Sequence, residues 1–144
     1  MSWPRHEILE IKGTIVMIDL FEMKTFVMHS GDIGHWKIEC DALTDEDIET
    51  LAYIVSEKFK FAGVYGVPTG AIRIEKALRK YITLDSENFL IVDDVLTTGA
   101  SMEEARNKMI TVKRVFWHNI IGVVLFARIP PPEWVYPVFQ LWNK

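Results

Sequence analysis

The chain has 144 residues, which suffices for one domain with a hydrophobic core, and its 49% hydrophobic and 25% charged content is ordinary for a soluble globular protein. A net charge of -4 offers no basic surface, so neither nucleic acid nor a membrane is an expected partner. The single cysteine, Cys40, excludes an internal disulfide and a cysteine-rich zinc site. The first residues lack the apolar stretch of a signal peptide, and the longest apolar run, residues 120–127, is too short to cross a bilayer, so we expect a cytoplasmic protein.

The first elements along the chain are short β-strands. TIVMIDL, TFVMHS and HWKIEC lie within residues 14–40, and a turn-like GDIG separates the last two. Short β-rich runs bounded by turn residues are typical of antiparallel strands.

No linker or repeat suggests a second domain. We therefore expect one domain, residues 1–144, in which residues 1–43 form a small N-terminal β hood and residues 44–144 form the core.

A helix and two strand–loop–helix units follow. Thr44 and Asp47 have the spacing of a capping box, and the apolar residues after them recur at helical spacing, which predicts a helix over residues 44–60. FAGVYGV, GVPTG and AIRIEKALRKY then read as strand, loop and helix, and FLIVDDV, LTTGA and SMEEARNKMI repeat that order before the apolar strand IIGVVLFA. Alternating strands and helices predict an α/β fold with a parallel sheet, whose ligands bind at the carboxyl ends of the strands.

The segment FLIVDDVLTTGAS, residues 89–101, runs from apolar strand residues into two acids and three hydroxyls. Side chains alternate along a strand, so Asp93 and Asp94 would reach one ligand only if the strand ends there. LTTGAS then supplies backbone N–H groups, hydroxyls and a glycine that permits close approach, at a helix N-terminus that suits a phosphate. Carboxylates accept hydrogen bonds from neighbouring hydroxyls such as those of a ribose. The pattern predicts a site for a ribose 5-phosphate.

This segment resembles the phosphoribosyl pyrophosphate signature of the type I phosphoribosyltransferases, and the resemblance extends over roughly residues 24–128. It implies that Asp93 and Asp94 are the catalytic acids and hold the ribose hydroxyls. It also implies a 5-phosphate loop made of Thr97, Thr98, Gly99, Ala100 and Ser101. VYGVPTGAI resembles the family's pyrophosphate loop, which implies that the leaving group binds to the backbone of Val67, Pro68, Thr69 and Gly70.

The acceptor base is suggested by two further stretches. KTFVMHSGDIGHWKIECDAL resembles the N-terminal region of orotate phosphoribosyltransferases, with His29 where that subfamily usually has a lysine. VVLFAR resembles the strand whose terminal arginine, here Arg128, binds the orotate carboxylate, and a planar guanidinium suits that role. The resemblance thus implies His29 and Arg128 as base-binding residues and favours orotate; for each, a purely structural role is the alternative.

Aromatic residues crowd the C-terminal segment PPPEWVYPVFQLW. Such residues could stack on a base, but they more often form core or subunit contacts, and we expect packing. A homodimer is an expectation that rests on the resemblance alone. The aromatic residues in question are Trp134, Tyr136, Phe139 and Trp142.

The implied reaction is attack of a base nitrogen on C1 of phosphoribosyl pyrophosphate, with loss of pyrophosphate. Mg²⁺ would be carried by the substrate and would reach Asp93 and Asp94 through water, without a direct protein ligand. Family members usually have a further strand and a long mobile loop with cations where this chain has only ITLDSEN. Either His29, Lys37 or a neighbouring subunit replaces these cations, or turnover is slow, and we expect slow turnover. Three functions stay open: an orotate transferase of pyrimidine biosynthesis, a transferase for another base, and a non-catalytic regulatory domain that binds phosphoribosyl pyrophosphate or a nucleotide.

Overall fold

The computed structural model describes residues 6–11, 14–22, 26–27, 33–34 and 37–142. The chain divides into two compact units, residues 1–47 and residues 48–144. In the described part of the chain, no helix combines the length and the apolar character needed to cross a membrane.

The N-terminal unit consists of short antiparallel strand pairs. Its strands are β1 His6–Ile11, β2 Thr14–Asp19, β3 Phe21–Glu22, β4 Phe26–Val27, β5 Ile33–Gly34 and β6 Lys37–Ile38. Strand β1 pairs with β2, β3 with β6 and β4 with β5, which confirms the predicted antiparallel pattern. Ile33–Gly34, predicted as part of a turn, pairs with Phe26–Val27 instead, because a two-residue strand is too short to show any periodicity in the sequence.

Helix α1, Asp45–Lys58, begins at a capping box. The Thr44 N–H donates to Asp47 Oδ2 at 2.9 Å, and the Asp47 N–H donates to Thr44 Oγ1 at 3.1 Å, so two amides that the helix leaves unpaired are satisfied. The apolar residues Ile48, Leu51, Ala52 and Val55 are buried. The predicted helix is confirmed, although it begins one residue later and ends two residues earlier than expected.

The second unit is built on a four-stranded parallel sheet in the order β10-β9-β8-β7. Its elements are β7 Gly63–Gly66, α2 Ile72–Leu78, β8 Phe89–Leu96, α3 Ala100–Thr111, β9 Ile120–Ala127 and β10 Val135–Gln140. The predicted parallel sheet with flanking helices is confirmed. Strand β10 was not predicted, because Pro137 argues against a strand; an edge strand such as β10 tolerates a proline.

Both faces of the sheet are covered. On one face, Ile91 and Val124 of the central strands pack in a buried cluster with Met102, Ala105 and Met109 of α3. The neighbouring residues Leu90, Val92, Val123 and Leu125 point to the opposite face because side chains alternate along a strand, and they are buried as completely. In this apolar setting, Asp93 is the only buried polar or charged side chain among the residues whose burial the structure describes.

The connection between α2 and β8 is short, as the sequence indicated. The hydroxyl of Ser86 and the side-chain amide of Asn88 both donate to the Lys60 carbonyl, and the Thr83 N–H donates to the Phe61 carbonyl at 2.9 Å. Residues 82–88 are thus tied to the chain that enters β7, at the amino end of the sheet. No long loop extends from this connection, whose residues are all described.

Candidate functional site

The site begins where β7 leaves the sheet. Strand β7 ends at Gly66, opposite Val92, and the Val67 N–H makes a last hydrogen bond to the Val92 carbonyl at 2.9 Å. Strand β8 continues to Leu96. The expectation that this strand ends at the two acids is therefore wrong: Asp93 and Asp94 lie inside β8, just beyond the point where its neighbour departs.

The two carboxyl groups meet although their residues are consecutive in a strand. Asp93 Oδ1 accepts the Asp94 N–H at 2.8 Å, and Asp94 Oδ1 accepts the Val95 N–H at 2.7 Å. Each side chain therefore turns along the backbone instead of projecting straight from its face. The Asp94 carboxyl group is also close enough to Asp93 to raise its pKa. Alternation along a regular strand did not anticipate this arrangement, because it ignores the reach of a short carboxylate to the next amide.

The pair shares a proton near neutral pH. The pKa of Asp93 is raised to about 8. Burial has the largest effect, and the neighbouring Asp94 carboxyl group, through hydrogen bonding and charge, adds to it. The hydrogen bond from the Asp94 amide lowers the pKa. Two carboxylates in contact do not both ionise readily, and burial disfavours the charged form. At pH 7 Asp93 therefore keeps its proton, so its carboxyl group can donate a hydrogen bond as well as accept one.

The predicted 5-phosphate loop forms a small pocket between β8 and α3. Thr98 Oγ1 accepts the Ala100 N–H at 3.3 Å, and the Gly99 carbonyl accepts the Glu103 N–H at 3.1 Å as the helix starts. The amides of Thr97, Thr98 and Gly99 donate to no acceptor among the described residues. The pocket is lined by Asp93, Val95, Leu96, Thr97, Thr98, Gly99, Ser101 and Met102. It thus joins the first acid to a loop of unused N–H donors at a helix N-terminus, an arrangement that suits an anion.

Gly99 is required for its backbone conformation. Its φ is 86°, in the left-handed region that other residues adopt at a cost. A Cβ atom there would meet only Leu96 Cδ1 at 3.8 Å, which is ordinary contact. The positive φ at the residue that caps α3 is thus one reason for a glycine here, and the close approach of a ligand stays a prediction.

The predicted pyrophosphate loop retains fewer donors than expected. The Val67 N–H is bonded to Val92, Pro68 has no N–H, and the Ala71 N–H donates to the Val67 carbonyl at 3.1 Å. The peptide bond between Pro68 and Thr69 is cis. Of the four predicted residues, only Thr69 and Gly70 keep an amide without an acceptor among the described residues.

Gly70 brings this loop against the paired acids. A Cβ atom built on Gly70 would lie 2.6 Å from Asp94 Cγ and would overlap Asp94 Oδ2. Only a glycine therefore allows the loop to approach the carboxylate this closely. The contact places the two predicted loops on either side of the acid pair, so that the pyrophosphate loop, the acids and the 5-phosphate loop form one continuous surface.

Sequence analysis missed Glu75. Its Oε1 accepts the Gly66 N–H at 3.0 Å, and its Oε2 pairs with Arg79 Nη2 at 2.7 Å. This carboxylate thus fixes the start of the pyrophosphate loop, and Arg79 offsets its charge. The four-residue spacing of Glu75 and Arg79 signalled the ion pair, but the bond to Gly66 depends on tertiary placement.

Of the two predicted base-binding residues, the structure describes only Arg128. Arg128 follows β9 directly, and its N–H donates to the Leu96 carbonyl at 3.0 Å, so it lies at the same carboxyl edge of the sheet as the acids. Its side chain is half-buried, and burial lowers the pKa of its guanidinium from the ordinary value. His29 lies outside the described residues.

The C-terminal aromatic residues pack, as predicted. Phe139 stacks on Phe126 at 5.3 Å between ring centroids, and Tyr136 meets Phe59 edge-on at 5.4 Å. Trp134 and Trp142 pack against the buried cluster on the α3 face. None of the four lines the pocket that contains Asp93.

The described residues include no cluster of three or more His, Cys, Asp or Glu side chains that would hold a resident metal. The acid pair supplies oxygen donors only, which suits Mg²⁺, an ion that keeps several waters and binds through one or two carboxylates together with substrate phosphates. The donor set therefore fits a metal that arrives with a diphosphate.

The contact at Gly70 predicts the behaviour of Gly70→Ala. The added methyl group overlaps the Asp94 carboxylate, so the loop or the acid must move, and we expect affinity for ribose 5-phosphate to fall about tenfold, which corresponds to about 1.4 kcal/mol. Isothermal titration calorimetry measures the loss. In an Asp94→Ala background the same substitution should have little further effect, because the overlap is gone. An equal loss in both backgrounds would show that the contact is not the cause.

The raised pKa of Asp93 predicts a pH-dependent stability. A proton bound more tightly in the folded state stabilises the fold fully below about pH 4, and this contribution is lost as the pH rises towards about 8. Asp93→Asn removes the dependence, so it should be more stable than the parent at pH 8.5, by on the order of 1–3 kcal/mol. Urea unfolding from pH 4 to 9 tests this, with the exposed Asp85→Asn as control. A difference that does not grow with pH would contradict the shared proton.

No protein-family model and no curated protein sequence matches this chain. Solved structures do match. UMP synthase from Leishmania donovani has a TM-score of 0.66 at 17% identity, over 85% of this chain and 34% of that one. Orotate phosphoribosyltransferase from Aeropyrum pernix has a TM-score of 0.65 at 19% identity, over 85% of this chain and 89% of that one. Orotate phosphoribosyltransferase from Mycobacterium tuberculosis H37Rv, solved with Fe(III) dicitrate, has a TM-score of 0.59 at 15% identity, over 84% of this chain and 89% of that one.

The chain spans about a third of the length of the Leishmania protein and most of the length of the two orotate phosphoribosyltransferases. At these identities the comparison concerns the fold. The four-stranded parallel sheet with its flanking helices is the type I phosphoribosyltransferase fold.

Proposed function

We propose that this chain is a phosphoribosyltransferase that uses phosphoribosyl pyrophosphate and Mg²⁺ to ribosylate a nucleobase, with orotate as the favoured base and orotidine 5'-phosphate and pyrophosphate as products. The observation that carries the proposal is the close contact between Gly70 and the Asp94 carboxylate. It lines up a diphosphate loop, two acids and a monophosphate loop in the order in which the parts of phosphoribosyl pyrophosphate follow one another.

Each part of the substrate has a matching set of groups. The 5-phosphate would accept hydrogen bonds from the free amides of Thr97, Thr98 and Gly99, where the dipole of α3 adds a favourable field. The ribose hydroxyls would exchange hydrogen bonds with Asp93 and Asp94, a pair that can donate as well as accept because it holds one proton.

The chemistry requires charge to move from the sugar to the leaving group. As the bond from C1 to the diphosphate breaks, the ring becomes positive, and the negative charge of the acid pair stabilises it. The amides of Thr69 and Gly70 donate to the oxygens that become negative. Mg²⁺, when bound with the diphosphate, neutralises further charge on that group. The protein fixes the sugar between its two loops, so the base nitrogen meets C1 in a defined orientation.

Two observations support orotate. Arg128 lies at the edge of the sheet where the acids lie, held there by its bond to the Leu96 carbonyl. A guanidinium suits a carboxylate, which orotate carries and most other nucleobases lack. Two of the similar structures are also named as orotate phosphoribosyltransferases. A transferase for another base is the alternative within the same chemistry.

A non-catalytic domain that binds phosphoribosyl pyrophosphate is the second candidate. Residues 82–88 tie back to the amino end of the sheet, so this connection supplies no loop to cover the site. The pyrophosphate loop, residues 67–70, contains no cationic side chain, and the group that holds the Gly66 N–H at its start is the carboxylate of Glu75. An uncovered site admits water and loses charge stabilisation, so we expect slow transfer if the chain is catalytic.

Binding and turnover together test the proposal. Phosphoribosyl pyrophosphate with Mg²⁺ should raise the melting temperature, since a ligand at a hundredfold excess over its Kd stabilises the fold by about 2.7 kcal/mol. Pyrophosphate release with orotate should be slower than the ~10 s⁻¹ of a typical enzyme. The double variant Asp93→Asn, Asp94→Asn should lose the ligand-induced shift, and Asp85→Asn should keep it.

The outcomes separate the candidates. A melting shift with slow, orotate-dependent release supports the transferase, and release with a different base identifies another acceptor. Binding without transfer to any base supports the regulatory domain. No shift at millimolar ligand would remove the basis of both functions.

Arg128→Ala tests the choice of base. Removal of a charge-assisted hydrogen bond to the orotate carboxylate should cost about 1.5–3 kcal/mol of orotate affinity, whereas affinity for phosphoribosyl pyrophosphate should not change. Isothermal titration with each ligand measures the two effects. An equal loss for both ligands would identify Arg128 as a structural residue.

A further inference from the structure

A second cavity lies at the amino end of the sheet. It is a groove of about 510 Å³ between the starts of β9 and β10 and the outer side of α3. Its walls include Phe59, Arg106, Trp117, His118, Trp134 and Tyr136. Strand β9 has eight residues, so its two ends are about 25 Å apart. The groove lies at the amino end and is therefore well separated from the site at the carboxyl edge.

Arg106 is held in the groove by stacking. Its guanidinium lies 4.7 Å from the centre of the Trp134 ring. Trp134 is itself fixed, because its Nε1 donates to Glu103 Oε1 at 3.0 Å and its ring covers Gly122, where a Cβ atom would lie 2.7 Å from the indole. The geometry therefore presents a guanidinium in a fixed orientation.

The hydrogen-bond donors of Arg106 are unused. Its Nε is buried and has no acceptor. In the described part of the chain, no carboxylate forms an ion pair with it. Its Nη groups also have no acceptor among the described residues, and a carboxylate or phosphate in the groove would accept hydrogen bonds from them.

An exposed aromatic surface stands at the same groove. Trp117 is 65% exposed, and its ring meets the ring of His118 at 5.7 Å and 86°. Phe116 stacks on His118 with 5.6 Å between the ring centroids. An indole face that no protein ring covers is available to stack on a flat ligand. Glu133, also in the lining, can accept a hydrogen bond from such a ligand.

We propose that this groove is a second binding site, for a small planar aromatic anion that also carries an amino group. The ring stacks on Trp117, the anionic group is held by Arg106, and the amino group donates to Glu133. The volume lies within the ~300–1,000 Å³ that small-molecule sites occupy. The anionic group is a carboxylate or a phosphate, since both match the guanidinium. The inference does not depend on the activity proposed for the carboxyl edge.

Titration with two probes tests the proposal. AMP supplies a phosphate and 4-aminobenzoate supplies a carboxylate, each on an amino-substituted ring. We expect at least one probe to quench tryptophan fluorescence saturably, with a Kd below ~1 mM. Arg106→Gln should weaken that binding about tenfold to a hundredfold. Trp117→Ala, which changes an exposed side chain and leaves the fold intact, should weaken it about tenfold or more. Lys113→Gln removes an exposed charge outside the groove and should change nothing.

Each result decides the question. Loss of binding in Trp117→Ala, with Lys113→Gln unchanged, supports the site even if Arg106→Gln fails to fold. Binding that both groove variants leave intact overturns it, as does the absence of saturable binding by either probe at 5 mM, about five times the expected upper limit. Binding of AMP that is lost in Thr98→Val but kept in Trp117→Ala places the ligand at the carboxyl edge and also overturns it.

Discussion

The departure of β7 from the sheet is the constraint on which the site depends. The Val67 N–H makes the last hydrogen bond between the two strands, and the chain then turns over Asp94 at Gly70. Strand β8 continues for four residues past Val92, the residue that pairs with the end of β7. The two acids therefore lie where no neighbouring strand covers them on that side. A longer β7 would have covered the acids with backbone. A residue larger than glycine at position 70 would have driven the loop away from them.

The same arrangement explains why the pKa of Asp93 is raised. An apolar sheet covered on both faces is a poor place for two charges, so burial and mutual contact lead the acids to share a proton. Local amides partly offset this by donating to each carboxylate. The result is a buried Asp93 that keeps its proton near neutral pH, next to a loop in which the amides of Thr97, Thr98 and Gly99 have no acceptor among the described residues. Residues 93–101 thus hold, within one short segment, the groups that the proposed ribose 5-phosphate would require.

Sequence predicted the parts of the fold that are encoded locally. The capping box at Thr44 and the strand–loop–helix order followed from spacing, and the paired acids before a glycine-bearing loop indicated the site. What it could not predict depends on tertiary contacts. The length of β8 is one case, since the carboxylates turn back to the chain and do not end the strand. Glu75 is another, because its bond to Gly66 joins a helix to a strand. Strand β10 contains Pro137, which only an edge position allows.

The central claim is that residues 93–101 bind a ribose 5-phosphate. Nuclear magnetic resonance of ¹⁵N-labelled protein titrated with ribose 5-phosphate tests it most directly, because it reports each amide separately. We expect saturable shifts of the Thr97, Thr98 and Gly99 amides, which have no acceptor among the described residues, while the indole resonance of Trp117 at the opposite end of the sheet stays unchanged. Shifts confined to other parts of the chain, or none at millimolar ligand, would contradict the assignment of this site.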